Sequence, residues 1–511
     1  GGQHMLDGLL LGLNTVLTLN NLALVLLGCL VGTLIGMLPG LGPISAIALM
    51  IPITYGFDPA AGMILLAGVY YGAIFGGSTS SILINAPGVA GTVATAFDGY
   101  PLAQRGFAGK ALAVAAYASF AGGTLAAVVL LLAAPSLAEL SLAFQSADYF
   151  LMMLLGLSLV AAFSNRGEYL KALMMTCLGL MLATVGTDLS AGVQRFTFGR
   201  MDLIDGISFL TLAMATFALA EAFLMILRPN PEQANQVPRY EDLRLNQQEL
   251  KDIAPSVGRS SMLGFLVGTL PGAGATIASF LAYGMERNFV KQTPVKFGDG
   301  NLAGLAAPES ANNAACTGSF VPLLTLGIPG SGTTAVLLGA LIAYGVQPGP
   351  RLFVDAPEVF WSVIVSMYIG NIFLLILNLP LIPQLARLLT VPRQYLVPAI
   401  MFFSVMGVYL VSFNSFDIQM MIFIAVGAII LRLLEFPMAP LLLGFILGGM
   451  LEDNLRRALT LTDGSWAFLW ERDLTLGLFV LLCVSLIAPL LAAFIRFILA
   501  RKAVARTPRT R

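Results

Sequence analysis

The sequence predicts an all-α, polytopic membrane protein made of two structural repeats, with Pro-Gly-broken helices and re-entrant hairpins. Three observations predict it. The first is composition: the 511 residues are 58% apolar and 11% charged, with mean hydropathy +0.87. A soluble domain carries roughly 25% charged residues. The second is the apolar stretches, many near the roughly 20 residues that span a bilayer; a β-barrel would show short alternating segments instead. The third is an internal copy. Gly32-Thr-Leu-Ile-Gly36-Met-Leu-Pro39-Gly40-Leu-Gly42 returns as Gly264-Phe-Leu-Val-Gly268-Thr-Leu-Pro271-Gly272-Ala-Gly274, glycine on glycine and proline on proline at one constant offset.

Each copy is followed by a second break. It is Asn85-Ala-Pro87-Gly88 in the first half and Gly327-Ile-Pro329-Gly330 in the second. A small-polar cluster lies between the breaks of each half. It is Gly76-Gly-Ser78-Thr79-Ser80-Ser81 in one, and Glu309-Ser-Ala-Asn312-Asn313 with Thr317-Gly-Ser319 in the other. Duplicated broken segments in apolar sequence are the best sequence pointer to a transporter binding site.

In chain order, Gly1-Gly-Gln-His-Met5 reads as an expression scar over residues 1–5. Residues 6–20 are mildly amphipathic and suit the membrane interface. The first half-repeat is residues 6–227. Its first span, 22–38, stops at Pro39-Gly40, where proline removes a helix donor and glycine permits positive φ. Residues 43–54 are too short to span and read as a half-helix or hairpin return. A span over 60–83 follows, then a polar loop from Phe97 to Gly106, with Asp98 read as a loop or turn residue before glycine. Further spans are expected at 110–133, 148–164, 169–187 and 206–227.

Residues 228–257 form the hydrophilic linker between the halves; their basic residues place it in the cytoplasm. The second half, 258–495, restarts with a broken span over 260–284. A basic loop and Asp299, again a turn residue, precede 302–326, the Pro329-Gly330 break and a half-helix at 333–345. Spans near 358–380, 396–413, 416–434, 437–451 and 474–499 complete it. The basic tail, 496–511, is expected in the cytoplasm. The total is roughly 10 to 12 crossings, and we expect the two repeats to be inverted.

The breaks carry the candidate chemistry. Backbone groups freed inside lipid must be satisfied by protein or water, so paired breaks suggest a shared cavity. Helix N-termini there suit a carboxylate. Pro39, Gly40, Pro87, Gly88, Pro271, Gly272, Pro329 and Gly330, with Ser78, Thr79, Ser80, Asn85, Asn312, Asn313, Ser331, Thr333 and Thr334, are the candidate substrate-binding set. Gly76, Ser81, Glu309, Thr317 and Ser319 are the candidate cation-binding set. The plainer alternatives are small residues packing helices and hydroxyls bonding their own helix backbone. Glu309 has two readings: a ligand or proton relay at membrane depth, or an acid at a helix N-terminus. The paired cores contain no Lys or Arg. An anionic substrate would then be met by helix ends, hydroxyls, amides and a co-transported cation rather than an arginine clamp.

Several classes are disfavoured. His4, in the scar, is the one histidine, so histidine-dependent catalysis and metal sites have little support. No Gly-x-x-x-x-Gly-Lys-Ser/Thr loop is present. Cys29, Cys177, Cys316 and Cys483 read as buried small hydrophobes, without metal or disulfide spacing. Net charge is zero, which gives no sign of nucleic acid.

The chain resembles the large membrane subunit of the tripartite tricarboxylate transporters, the TctA type. The resemblance rests on Gly32 to Gly42, Tyr71 to Gly88, Phe97-Asp-Gly-Tyr-Pro101, Gly268 to Gly274, Ala307-Pro-Glu-Ser-Ala-Asn-Asn-Ala-Ala315 and Gly327 to Thr334. It extends over nearly the whole chain from Met5. It implies a non-enzymatic secondary transporter of the bacterial inner membrane. Its partners would be a small four-helix membrane subunit and a periplasmic solute-binding protein that delivers a citrate-like carboxylate. Uptake would be driven by co-transported Na⁺ or H⁺, with no bound cofactor. We expect the two hairpin regions to move as a core past a scaffold formed mainly by 110–227 and 358–499, elevator fashion. The competing readings are a passive channel or scaffold subunit and, far behind, an intramembrane enzyme.

Overall fold

A computed structural model describes residues 2–162, 168–229, 238–239, 242–272, 274–291 and 293–506. Residues 230–237 and 240–241 of the expected linker, Ala273 of the second copy and residues 507–511 of the basic tail lie outside the described residues.

The described residues are mostly helical. The first half contains α1 (Gly2–Val16), α2 (Leu19–Gly36), α3 (Gly42–Thr54), α4 (Pro59–Ile84), α5 (Thr95–Leu102), α6 (Ala108–Ser141), α7 (Ser146–Ala162) and α8 (Tyr169–Ala183). A short antiparallel hairpin follows, β1 (Gly186–Asp188) and β2 (Val193–Arg195). Then α9 (Phe209–Ala213) runs through a wide helical turn into α10 (Ala220–Leu227). The second half contains α11 (Gln247–Thr269), α12 (Gly274–Phe289), α13 (Leu302–Leu326), α14 (Gly332–Ala343), α15 (Leu352–Asp355) and α16 (Pro357–Asn378). It ends with α17 (Ile382–Leu385), α18 (Arg393–Ser412), α19 (Ser415–Leu433), α20 (Ala439–Leu461) and α21 (Asp473–Arg506). Among the described residues, eight helices are long and apolar enough to cross a membrane, and four shorter apolar helices, α3, α7, α8 and α14, lie among them.

The sequence repeat is a structural repeat. Gly32 and Gly36 of α2 lie against the carbonyls of Val69 and Ala73 in α4. Their counterparts Gly264 and Gly268 of α11 lie against the carbonyls of Ala311 and Ala315 in α13. Glycine every fourth residue keeps one helix face bare, so the two backbones touch, as small residues allow in membranes. Within each pair the contacts advance together along both helices, so α2 runs parallel to α4 and α11 parallel to α13. The intervening helices, α3 and α12, carry the chain back.

The two copies are inverted. Ser78 of α4 meets Glu309 of α13, while Tyr70, two turns earlier, meets Ser319, nearly three turns later. Corresponding helices of the halves therefore run in opposite directions, the arrangement expected of inverted repeats.

Two expectations are corrected. The segment from Phe97 to Gly106 is helical rather than a loop; its polar residues serve tertiary contacts, and Gly106, at φ +91°, kinks the chain into α6. Within the expected linker 228–257, α11 starts at Gln247. A reciprocal cap fixes that start: Asn246 accepts from the Glu249 amide, and Glu249 accepts from the Asn246 amide. Of the cysteines, Cys29 and Cys316 are buried, but Cys177 is exposed and Cys483 half-buried. Cys177 stands on the apolar helix α8, where a bilayer or another chain would cover it.

Candidate functional site

The breaks are built as the residues dictate. Gly40 and Gly42 take φ +94° and +72°, turning α2 into α3; their counterparts Gly272 and Gly274 take +84° and +67°. Asn85 ends α4 in the left-handed conformation at φ +51°, and Gly327 ends α13 at +68°. Ser331 caps α14: its hydroxyl accepts from the Thr334 amide, and the Thr334 hydroxyl accepts from the Gly330 and Ser331 amides. The Gly272 amide donates to the Gly330 carbonyl across 2.5 Å.

Three of the breaks, and the start of α14 directly after the fourth, open on one cavity of about 660 Å³. Its wall includes Gly40, Pro87 and Gly88, Gly272, and Ser331 with Thr333. The first residues of α3, α12 and α14 (Gly42, Gly274 and Gly332) are also in it, so three helix N-termini face one space. Each brings free N–H groups and a partial positive charge. Arg432 of α19 is the one charged side chain in the wall among the described residues. The expectation of a site without an arginine clamp came from the paired cores alone. The paired cores do lack Lys and Arg, but α19 lies outside them and folds against them. Sequence spacing gave no signal for this. Tyr70 and Thr276, also in the wall, were missed as well.

The polar clusters converge elsewhere. Glu309 is fully buried on the third turn of α13, so the reading of an acid at a helix end is corrected. Oε2 accepts from Ser78 at 2.5 Å and Ser119 at 2.8 Å. Oε1 accepts from Thr95, with the Asn312 amide at 3.5 Å. Four segments thus supply oxygen or amide groups to one carboxylate. Neither Thr95 nor Ser119 carries a signal in the sequence: Thr95 stands between a break and an expected loop, and Ser119 in an ordinary apolar span. Asn312 also donates to the Gly91 carbonyl at 2.9 Å, and Gly91 lies in the cavity wall. One amide therefore joins the carboxylate cluster to the cavity. Asn313 donates to the Glu309 carbonyl and to Asn312.

Other candidates bond locally. Ser80 and Ser81 both donate to the Gly77 carbonyl, and Ser81 meets Thr92. Thr317 and Ser319 bond the carbonyls of Asn313 and Cys316. Gly76 packs on the Thr33 carbonyl of α2. Thr79 is buried beside α6, Asn85 is exposed, and Pro39, Pro271 and Pro329 shape the turns.

Asp98 is likewise corrected. It is buried in α5, and Oδ1 accepts from the amides of Gly298, Gly300 and Asn301 at 2.7, 3.0 and 2.9 Å. It ties the first half to the loop before α13. Asp299 lies in a turn, as expected.

Comparison with known proteins places these features in a wider group. The model of the tripartite tricarboxylate transporter TctA family matches residues 22–443. An Agrobacterium vitis protein, "Uncharacterized 52.8 kDa protein in TAR-I ttuC' 3'region", is 45% identical over 462 residues, 90% of this chain and 91% of its own. A second from the same organism, "Uncharacterized protein in TAR-II ttuC' 3'region", is 47% identical over 201 residues, 39% of this chain and 83% of its own. No solved structure matches.

Proposed function

Because this chain belongs to the tripartite tricarboxylate transporter TctA family, and is thus a multi-pass membrane subunit of a tripartite transporter, we propose that it imports a citrate-like carboxylate by cation symport. The observation that carries the reading is the single cavity on which three of the breaks and three helix N-termini open. Its volume, about 660 Å³, lies within the range of small-molecule sites. The substrate carboxylates sit at the N-termini of α3, α12 and α14. The driving cation, Na⁺ or H⁺, binds at Glu309, where Ser78, Thr95 and Ser119 complete an oxygen-rich shell. Asn312, bonded to both the cluster and the cavity wall, links cation to substrate.

The inverted, parallel-paired hairpins form the moving core, and α18 to α21 belong to the scaffold. A small four-helix subunit and a periplasmic binding protein complete the system in a bacterial inner membrane. Lys110 pairs with Glu249, and Asp98 holds the loop after Lys291 and Lys296. These contacts gather basic segments at one end, which supports placing that end in the cytoplasm, with the C-terminus.

The test is uptake of labelled citrate and other carboxylates into proteoliposomes holding this chain and its small subunit, with added binding protein, under Na⁺ or proton gradients. Uptake that needs binding protein and one gradient is expected. Uptake indifferent to every cation gradient would overturn symport in favour of a channel.

A further inference from the structure

Glu221, Arg228 and Arg432 form an ion cluster beside the first break. Glu221 is 2% exposed; Oε1 accepts from Arg228 at 2.5 Å and Oε2 from Arg432 at 2.6 Å. One carboxylate thus serves two guanidinium groups, and the cluster carries net positive charge. Arg393 adds to it: its Nη1 donates to the carbonyls of Met225 and Arg228, and no carboxylate lies within ion-pair distance of it among the described residues. An excess positive charge beside a low-dielectric cavity wall attracts an anion far more strongly than the same charge in water.

The two arginines are placed differently. Arg432 lies in the wall of the cavity on which the breaks open, and also of a neighbouring space of about 490 Å³. Its guanidinium stands over the Phe217 ring, 5.6 Å from the centroid, and Phe217 is in the same wall. Arg228 lines the neighbouring space but not this cavity, and is half exposed. Gly40 touches both spaces, and a side chain there would strike Glu221 Oε1 and stand 2.9 Å from Arg228 Nη1.

We propose that Arg432 is the residue that grips a carboxylate of the transported anion, and that Glu221 is its resting counter-ion, displaced when that carboxylate arrives. This deepens the proposed reading of the cavity and rests on it. Exchange leaves no orphaned charge. Arg228 still pairs with Glu221, while Arg432 takes the incoming carboxylate. A guanidinium has five donors in a planar fork and can accept a second, bidentate partner. The preferred ligand carries two or more carboxylates, one on Arg432 and the rest at the helix N-termini across the cavity.

The experiment measures equilibrium binding of citrate, succinate and inorganic sulfate to the purified full chain, as wild type, Arg432→Gln, Arg432→Lys and Glu221→Gln. Thermal unfolding checks that each variant is folded. Opposite signs are expected. Arg432→Gln should weaken citrate binding about 10- to 100-fold, the range for a hydrogen bond to a charged group. Arg432→Lys should recover part of it. Glu221→Gln should tighten binding several-fold, because the competing carboxylate is gone. A purely structural ion cluster would weaken or leave unchanged both variants, and that result overturns the proposal. If Arg432→Gln does not fold, Glu221→Gln decides by its sign alone. Carboxylate binding equal in wild type and Arg432→Gln would sink the arginine assignment and leave the carboxylate reading intact. Binding of sulfate alone, lost in Arg432→Gln, would sink the carboxylate reading and keep Arg432 as an anion site. No binding of any probe to wild type overturns both.

Discussion

The Gly272 amide and the Gly330 carbonyl lie 2.5 Å apart, so the third and fourth breaks are joined backbone to backbone. A Cβ on Gly272 would stand 2.5 Å from the Leu159 carbonyl carbon and the Val160 nitrogen, whereas one on Gly274 meets nothing within 4 Å. Both glycines have positive φ. Gly274→Ala should cost only the left-handed penalty, about 1–2 kcal/mol. Gly272→Ala should cost clearly more, because α7 must also move. Thermal unfolding of the two variants compares them, and equal losses would mean that the contact with α7 contributes nothing.

Glu309→Gln should fold, since the amide keeps the shape and the surrounding hydroxyls can donate or accept. It should raise the cation concentration for half-maximal uptake at least about tenfold, as expected when one charged ligand is removed. Ser119→Ala and Thr95→Ala should move it in the same direction by less. An unchanged cation dependence in Glu309→Gln would remove the cluster from the coupling mechanism.

Asp98→Asn should loosen the loop before α13. The carboxylate oxygen accepts three backbone amides, and an amide group presents one oxygen fewer and two donors in its place. Leaving buried donors poorly matched costs about 1–3 kcal/mol. Hydrogen exchange should speed up at Gly298, Gly300 and Asn301. Wild-type protection there would count against the tie.

Asp188 of β1 pairs with Arg456 through both oxygens, at 2.9 and 2.8 Å. That guanidinium holds the Asp188 carboxyl down to about 2, against about 3.9 in an unfolded chain. A depressed folded value stabilises the fold above the unfolded one, and the benefit fades as pH falls from about 4 toward about 2. Asp188→Asn should therefore unfold at a lower temperature than wild type near neutral pH, with the gap narrowing in acid. A gap constant with pH would show that the pairing is not the source.

Much of this was legible because a repeat is a pattern within one sequence. Gly32 and Gly36 announce Gly264 and Gly268, and the breaks at Pro39, Pro87, Pro271 and Pro329 mark helix ends that the chain cannot avoid. What was not legible depends on contacts between distant segments. Asp98 read as a turn residue because its partners are some 200 positions away. Ser119 sits in a long apolar helix and Thr95 in a short one just before an expected loop, and both gain meaning only from Glu309. Arg432 lies near the end of an ordinary apolar span, and only packing of α19 against the wide turn before α10 brings it to the cavity. Ser80 and Ser81 show the other limit: both hydroxyls bond the Gly77 carbonyl of their own helix, and Ser81 also meets Thr92.

The order of synthesis matters to Glu309. Its hydroxyl partners, Ser78, Thr95 and Ser119, all precede it in the chain. By the time α13 is synthesised, the segments that shelter its carboxylate have already been made. With the two halves exchanged in the gene, the acid would enter the membrane with no host, at a cost of roughly 2.5–3.5 kcal/mol on insertion scales. The order of the two halves in the chain thus spares the acid that exposure, although the halves share one plan.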